Sequence, residues 1–344
     1  MIGTYCGPVP MVNDPVSAVQ VGLGGWGTDW ALRVLPSAPG MRVVAWAEPD
    51  PARRAAFAEA TGVPLPDIHS GLDDAMAEVD AEAVFVTTAP ATRGAVTRAA
   101  LSAGKHVLLE KPFTLDLAEA ADLVHLADEV GRRLVVAQDH RFFAASSQVR
   151  HLLAQEVVGQ VRHVSVSFRR NHRSPAEDTC SVLWRTAIHH FDLLRAFFGE
   201  PRAIDARAWP RGRSRDAALT SFSAEIEFRS GVVVQYSASA DSSAPATPWT
   251  GDWTVEGDDG MLHWAGSDPA EGAYARYVRA GGEPTEVPVG IPHLRDRWAV
   301  IAHFAHAVRA GCESEISGRA TLGTVALVSA AETSLTTGRS VTLG

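Results

Sequence analysis

A chain of 344 residues accommodates about two domains at roughly 150 residues each, which excludes explanations built on a small stapled scaffold. With 46% hydrophobic and 21% charged residues, the composition is that of a folded globular protein, not an extended disordered chain. The 31 basic side chains against 40 acidic ones leave a formal charge of −9, which argues against nucleic acid as a partner. Cys6, Cys180 and Cys312 lie far apart without a C-x-x-C pair, so neither a disulfide framework nor a metal site is expected. Residues 1–14 have no basic start followed by an apolar run, and eighteen uninterrupted apolar residues occur nowhere. The expectation is therefore a cytoplasmic protein with no membrane partner. Only Lys105 and Lys111 among the basic side chains are lysines, and a lysine kept in such an arginine-rich chain is a candidate for chemistry that arginine does not perform.

In chain order, a short apolar strand, Ala18 to Val21, runs into Gly22-Leu23-Gly24-Gly25-Trp26-Gly27 and then a helix, Thr28 to Leu35. This is G-x-G-x-x-G in strand–turn–helix context. The first glycine permits the tight turn, the second lets backbone approach a pyrophosphate, and the third allows helix and strand to pack closely. A second strand, Arg42 to Ala47, ends at Glu48, placed either to accept from a ribose diol or to stand as a solvated strand-end carboxylate.

The alternation continues with a helix at Pro51 to Thr61, a strand at Ala83 to Thr88 and a helix at Ala91 to Ala103. A strand at Lys105 to Leu109, a helix at Leu115 to Val130 and a strand at Arg133 to Ala137 follow. Such an order means a parallel sheet. Its ligands lie beyond the carboxyl ends of the strands, where Thr87, Thr88, Pro90, Glu110, Lys111, Gln138 and Asp139 fall. The second half changes period. Val164, Val166 and Phe168 alternate with serines, and Phe222, Ala224, Ile226 and Phe228 alternate with polar residues, the pattern of half-buried strands.

The string from Ala100 to Pro112, ending Glu110-Lys111-Pro112, resembles the Gfo/Idh/MocA family of nicotinamide-dependent oxidoreductases. Gln138-Asp139-His140-Arg141-Phe142, Ile188-His189-His190-Phe191-Asp192-Leu193-Leu194 and Val255-Glu256-Gly257-Asp258-Asp259-Gly260 extend the resemblance over residues 16–344. It implies an N-terminal Rossmann doubly wound parallel sheet (1–138) and a C-terminal α+β substrate domain (139–344) built on a large, mostly antiparallel, open-faced sheet. That open face either forms a homodimer or homotetramer contact or is simply solvated.

The resemblance implies NAD(H) as cofactor, held by residues 22–27, Glu48, Thr87, Thr88, Pro90, Arg93, Glu110, Lys111, Gln138 and Asp139. Glu48 favours NAD(H) over NADP(H). Lys111 is expected to stabilise alkoxide character on the substrate oxygen, and His189 to shuttle its proton. Trp184, Arg185, Arg141 and Asp192 are expected on the substrate side, with Asp192 either orienting His189 or anchoring the helix.

Several positions depart from the family pattern. Where many relatives carry an aspartate four residues before the histidine, this chain has Arg185; either arginine replaces it, or a shortened loop deletes it and shifts Trp184-Arg185 into register. Helical spacing at 185, 189 and 192 would put Arg185 on the face of His189 and, with Lys111 and the run Arg169-Arg170-Asn171-His172-Arg173, make a cationic pocket for an anionic substrate. Arg93 stands where relatives commonly have histidine and is expected either at the cofactor or in solvent. The leading function is hydride transfer at a secondary alcohol or ketone of a sugar, cyclitol or related metabolite. NAD-dependent glycoside cleavage with transient oxidation and an inactive cofactor-binding regulator are the alternatives.

Overall fold

The computed structural model describes residues 6, 9–10, 14–38, 40–171, 181–209, 219–267 and 272–344. Two compact units emerge, residues 1–139 with 297–325, and residues 140–296 with 326–344. The change of unit at 139/140 adjoins the expected boundary, but 297–325 returns to the first unit, a placement that no local sequence period announces.

In chain order the first unit contains β1 (Val16–Val21), α1 (Gly25–Arg33), β2 (Met41–Ala47), α2 (Pro51–Thr61), β3 (Ile68–His69) and α3 (Leu72–Glu78). It continues with β4 (Ala83–Val86), α4 (Pro90–Ser102), β5 (His106–Leu109), α5 (Leu117–Glu129) and β6 (Leu134–Val136). Among the described residues the strands form one parallel six-stranded sheet in the order β3-β2-β1-β4-β5-β6. The order reverses between β1 and β4, which creates the crevice at which such sheets take ligands. β1 and β4 are buried at every residue, as parallel strands covered on both faces must be. Sequence periodicity missed β3 and α3, because two and seven residues are too few to display a period. α2 shows how local chemistry sets an element's ends: Asp50 accepts from the N–H groups of Ala52 and Arg53, Pro51 opens the helix, and Gly62 closes it at φ +76°.

The second unit contains α6 (Ala144–Ala154), β7 (Val161–Arg169), α7 (Ile188–Phe198), β8 (Pro201–Ala208), β9 (Ser221–Phe228) and β10 (Val233–Ser239). After them come β11 (Asp252–Gly257), β12 (Gly260–Ala265), β13 (Tyr274–Arg279) and β14 (Thr285–Val287). Nearly all of helix α8 (Asp296–Ala310) and the first residues of α9 (Gly318–Thr337) fall in the segment 297–325 that returns to the first unit, whereas the rest of α9 and the last strand, β15 (Val341–Thr342), belong to the second. Among the described residues nine strands form one sheet, β14-β13-β12-β11-β7-β10-β9-β8-β15, antiparallel except for the β7/β10 pair. The expected alternation holds: Val164, Val166 and Phe168, and Phe222, Ala224, Ile226 and Phe228, are all buried. One face packs under α7, where Phe191 meets Phe222 and Tyr236 edge-on and Phe198 meets Phe228. The opposite face carries Ser165, Ser167, Ser223, Glu225 and Gln235 around an open hollow of about 620 Å³.

The cysteine expectation is corrected. Cys6 and Cys312 form a disulfide across 306 residues of sequence, so the cysteines no longer argue for a reducing compartment. Their meeting depends on the return of 297–325 to the first unit, which spacing does not reveal. Cys180, His172 and Arg173 lie outside the described residues. Among the described residues no helix is long and apolar enough to cross a membrane.

Candidate active site

The glycine loop closes tightly where it must and opens where a ligand would lie. Gly22 has φ +94°, and a Cβ there would stand 2.6 Å from Thr88 N; a Cβ on Gly27 would stand 2.1 Å from the Gly22 carbonyl oxygen. Nothing lies within 4 Å of a Cβ built on Gly24 or Gly25. Helix α1 starts at Gly25, three residues earlier than expected, with Gly24 as an N-cap that offers no side chain. The first-turn N–H groups are therefore available to an anion. Below the loop, Thr87 Oγ1 donates to the Gly22 carbonyl (2.6 Å) and Gln20 Nε2 donates to the Gly27 carbonyl (2.8 Å). Gln20, wholly buried, is a supporting residue that sequence reasoning missed; a glutamine inside an apolar strand was the available signal.

Glu48 is buried at the end of β2 rather than solvated. Its two oxygens accept from Leu23 N–H (2.9 Å) and Asp50 N–H (3.1 Å), so the carboxylate ties the glycine loop to the start of α2. Arg54 donates to the carbonyls of Glu48 and Pro49 (2.8 and 3.0 Å), and Arg53 lies 3.7 Å from the Asp50 carboxylate.

Glu110, also buried, is a hub. Its Oε1 accepts from both Trp26 Nε1 and Trp30 Nε1 at 2.6 Å, and its Oε2 accepts from Lys111 N–H at 3.0 Å. Trp26 and Trp30 sit one turn apart on α1, and the Arg297 guanidinium packs 4.9 Å from each ring while pairing with Asp29 (2.6 Å). The glycine loop and the segment of Lys111 are thus joined through one carboxylate. Lys111 is partly exposed and precedes a cis bond to Pro112.

Arg93 does not face solvent, which removes the second of its two expected readings. It is buried, and it donates to the carbonyls of Pro112 and Thr88, tying the segment after β5 to the segment after β4. Pro90 opens α4. Gln138 is 1% exposed, and neither polar atom of its amide has a hydrogen-bond partner among the described residues; the same holds for Thr88 Oγ1. Asp139, half-buried, begins the one-turn 3-10 segment Asp139–Phe142. Buried polar atoms left without protein partners at the carboxyl edge mark a place for polar ligand atoms. With the open cradle over Gly24 and Gly25, these residues fit a dinucleotide.

The second unit carries His140, His189 and His190. Residues Leu183–Ala187 form a π-turn that leads directly into α7, so the 100° step assumed for aligning Arg185 with His189 does not apply across it. Trp184 is buried there and Arg185 half-buried. Asp192 pairs with Arg141: Nε and Nη2 of the arginine meet the two carboxylate oxygens at 2.5 and 2.8 Å, with both residues buried. Arg141, expected to bind substrate, and Asp192 therefore clamp the 3-10 turn onto α7. His189 is buried, and its ring stacks on His140 with centroids 3.9 Å apart and planes 10° from parallel. His190 bridges Tyr236 Oη (2.8 Å) and the Trp249 carbonyl (2.9 Å). A carbonyl only accepts, so Nε2 of His190 carries the proton and Nδ1 accepts from the tyrosine. Burial pushes the pKa of His190 down to about 4 despite that carbonyl. In the basic run, Arg170 stacks 4.4 Å over Trp249 and donates to the Thr247 carbonyl; Arg169 donates to Ser167 Oγ, and Asn171 bridges Asp241.

Two family models match: "Oxidoreductase family, NAD-binding Rossmann fold" over residues 16–138 and "GFO/IDH/MocA C-terminal domain" over residues 146–263. The chain is 31% identical to the inositol 2-dehydrogenase of Leifsonia xyli subsp. xyli over 63% of this chain and 65% of that enzyme. It is 27% identical to the dTDP-3,4-didehydro-2,6-dideoxy-alpha-D-glucose 3-reductase of Streptomyces violaceoruber over 86% of this chain and 87% of that one. An alignment with an uncharacterized oxidoreductase of Synechocystis sp. spans 40% of each chain at 30% identity. The fold resembles the aldose-aldose oxidoreductase of Caulobacter crescentus in complex with glycerol (TM-score 0.83, 20% identity, 96% of this chain, 100% of that one). It also resembles the Bordetella pertussis dehydrogenase WlbA in complex with NADH and UDP-GlcNAcA (TM-score 0.78, 21% identity, 96% and 99%).

Proposed function

The chain belongs to the Gfo/Idh/MocA family of oxidoreductases with an NAD-binding Rossmann fold, and on that premise we propose that it transfers a hydride at a secondary alcohol or ketone of a sugar, cyclitol or related polyhydroxylated metabolite. The observation that carries the reading is the unpartnered, buried Gln138 amide on the same carboxyl edge of the sheet as the open Gly24-Gly25 cradle and Lys111. When bound, a nicotinamide dinucleotide supplies the hydride acceptor or donor. Gly24, Gly25 and the first turn of α1 would hold its pyrophosphate, Glu48 its ribose diol, and Gln138 and Thr88 its polar groups nearer the reacting end. Lys111 stabilises negative charge on the substrate oxygen, and His189 exchanges the proton of that oxygen. A buried Glu48 disfavours a 2′-phosphate, which supports NAD(H) over NADP(H). The sugar and cyclitol class draws on the names of the relatives and on the resemblance of Lys111 and His189 to the family pattern.

The test incubates the protein with NAD(H) or NADP(H) and a panel of polyols, keto sugars, sugar acids and nucleotide sugars, following cofactor reduction state and products. Net NADH formation or consumption with NAD(H) binding the tighter is expected, and Lys111→Ala should lower kcat by at least ~10²-fold with cofactor affinity largely kept. Product release without net cofactor turnover would favour glycoside cleavage instead, and equal or tighter NADP(H) binding would remove the assignment of Glu48.

A further inference from the structure

We propose that His140 is the positioning residue for His189, fixing the plane of its imidazole by face-to-face stacking. The inference rests on the proton-exchanging role proposed for His189. An imidazole swings about Cβ–Cγ in broad wells, so a proton-exchanging histidine needs something to hold its ring. Within the second unit His140 supplies it: the rings lie 3.9 Å apart and 10° from parallel. The centroids are closer than the separation aromatic pairs usually adopt, as expected where the surrounding contacts press the rings together.

The cause is visible on both sides of the stack. The neighbour of His140, Arg141, is bound bidentately by Asp192 of α7, which pins the 3-10 turn to the helix that carries His189. Phe143 packs on His140 with centroids 4.4 Å apart. One residue along the helix, His190 is locked between Tyr236 and the Trp249 carbonyl, which removes rotation of α7 as an escape. His140, Arg141 and Phe143 on one side and His190 and Asp192 of α7 on the other thus converge on the orientation of the His189 ring. Asp192 acts on His189 through this chain, by holding Arg141 and therefore His140.

Two variants test it in the full-length protein: His140→Leu keeps bulk and removes the flat ring, and His140→Phe keeps the ring and removes its nitrogens. Histidine ring signals in carbon–proton NMR spectra, with His189 identified by its loss in His189→Gln, report the stack without any substrate. The ring-current-shifted His189 signal should move in His140→Leu and stay shifted in His140→Phe. With a substrate from the panel, His140→Leu should lower kcat about 10- to 10²-fold, the scale of a misplaced catalytic group. KM and NADH affinity should hold, and His140→Phe should restore most of the rate. An unmoved His189 signal in His140→Leu overturns the proposal, as does wild-type kcat in that variant or a His140→Phe enzyme as slow as His140→Leu. If nothing in the panel turns over, the NMR result decides this inference alone, while the hydride-transfer reading fails separately.

Discussion

The sheet edge of the first unit and the α7 region of the second bury polar groups in opposite ways. At the first, main chain holds Glu48 by two backbone N–H groups and Thr87 and Gln20 by loop carbonyls, with Glu110 and its two tryptophan partners the exception. At the second, side chain holds side chain: Arg141 with Asp192, His140 with His189, His190 with Tyr236. Backbone partners come with any residue of suitable conformation, so the first arrangement follows from strand ends and glycines. Side-chain partners must be drawn from segments far apart in sequence, and losing one strands the other in a low-dielectric interior.

The largest effect that would sharpen this contrast is expected at the Arg141–Asp192 pair. Asp192→Ala removes the carboxylate that binds a buried guanidinium bidentately and should destabilise by about 3–5 kcal/mol. Replacing both members by apolar residues, Arg141→Met with Asp192→Leu, should recover most of that loss in a urea titration. Equal stability of the single and double variants would mean that the pair does not act as a unit.

A smaller effect is expected in the first unit. Gly27→Ala drives a methyl toward the Gly22 carbonyl oxygen, 2.1 Å from the ideal Cβ position, and should cost about 1–3 kcal/mol by overpacking while weakening NADH binding measured by fluorescence titration. Gly25→Ala meets no protein atom within 4 Å, so it should leave stability nearly unchanged and weaken NADH alone. Parallel losses of stability in both variants would break the division between closed and open glycines.

The smallest effect is a pH dependence. His190 is held neutral by burial, with its pKa lowered to about 4; His106, at the start of β5, is lowered to about 4 by burial and then by Arg132 and Arg133. Between those values and the ordinary histidine value of 6.5 the unfolded chain binds more protons than the folded one. Their contribution is therefore full above pH 6.5 and lost as pH falls toward 4. Melting temperature should decline across that window, and His190→Asn, though less stable at pH 7, should decline less steeply. An unchanged slope in the variant would show that His190 is not buried as the neutral ring.

What could be read from the sequence was whatever local spacing encodes. The glycines of residues 22–27, the acidic residue closing β2, the lysine after β5 and the alternation of β7 and β9 specify backbone conformation or a facing direction within a few residues, and the parallel direction of the first sheet follows from alternating elements. Tertiary structure alone decided the rest. The Cys6–Cys312 bond, Arg297 between Trp26 and Trp30, and the return of 297–325 to the first unit join positions separated by hundreds of residues, for which no period exists. The π-turn before α7 broke a helical-wheel argument that was sound for an α-helix, and the His140–His189 stack joined two segments that had each been noticed singly. Local rules state which way a side chain leaves its own backbone, but the partner it meets is set by packing among distant segments.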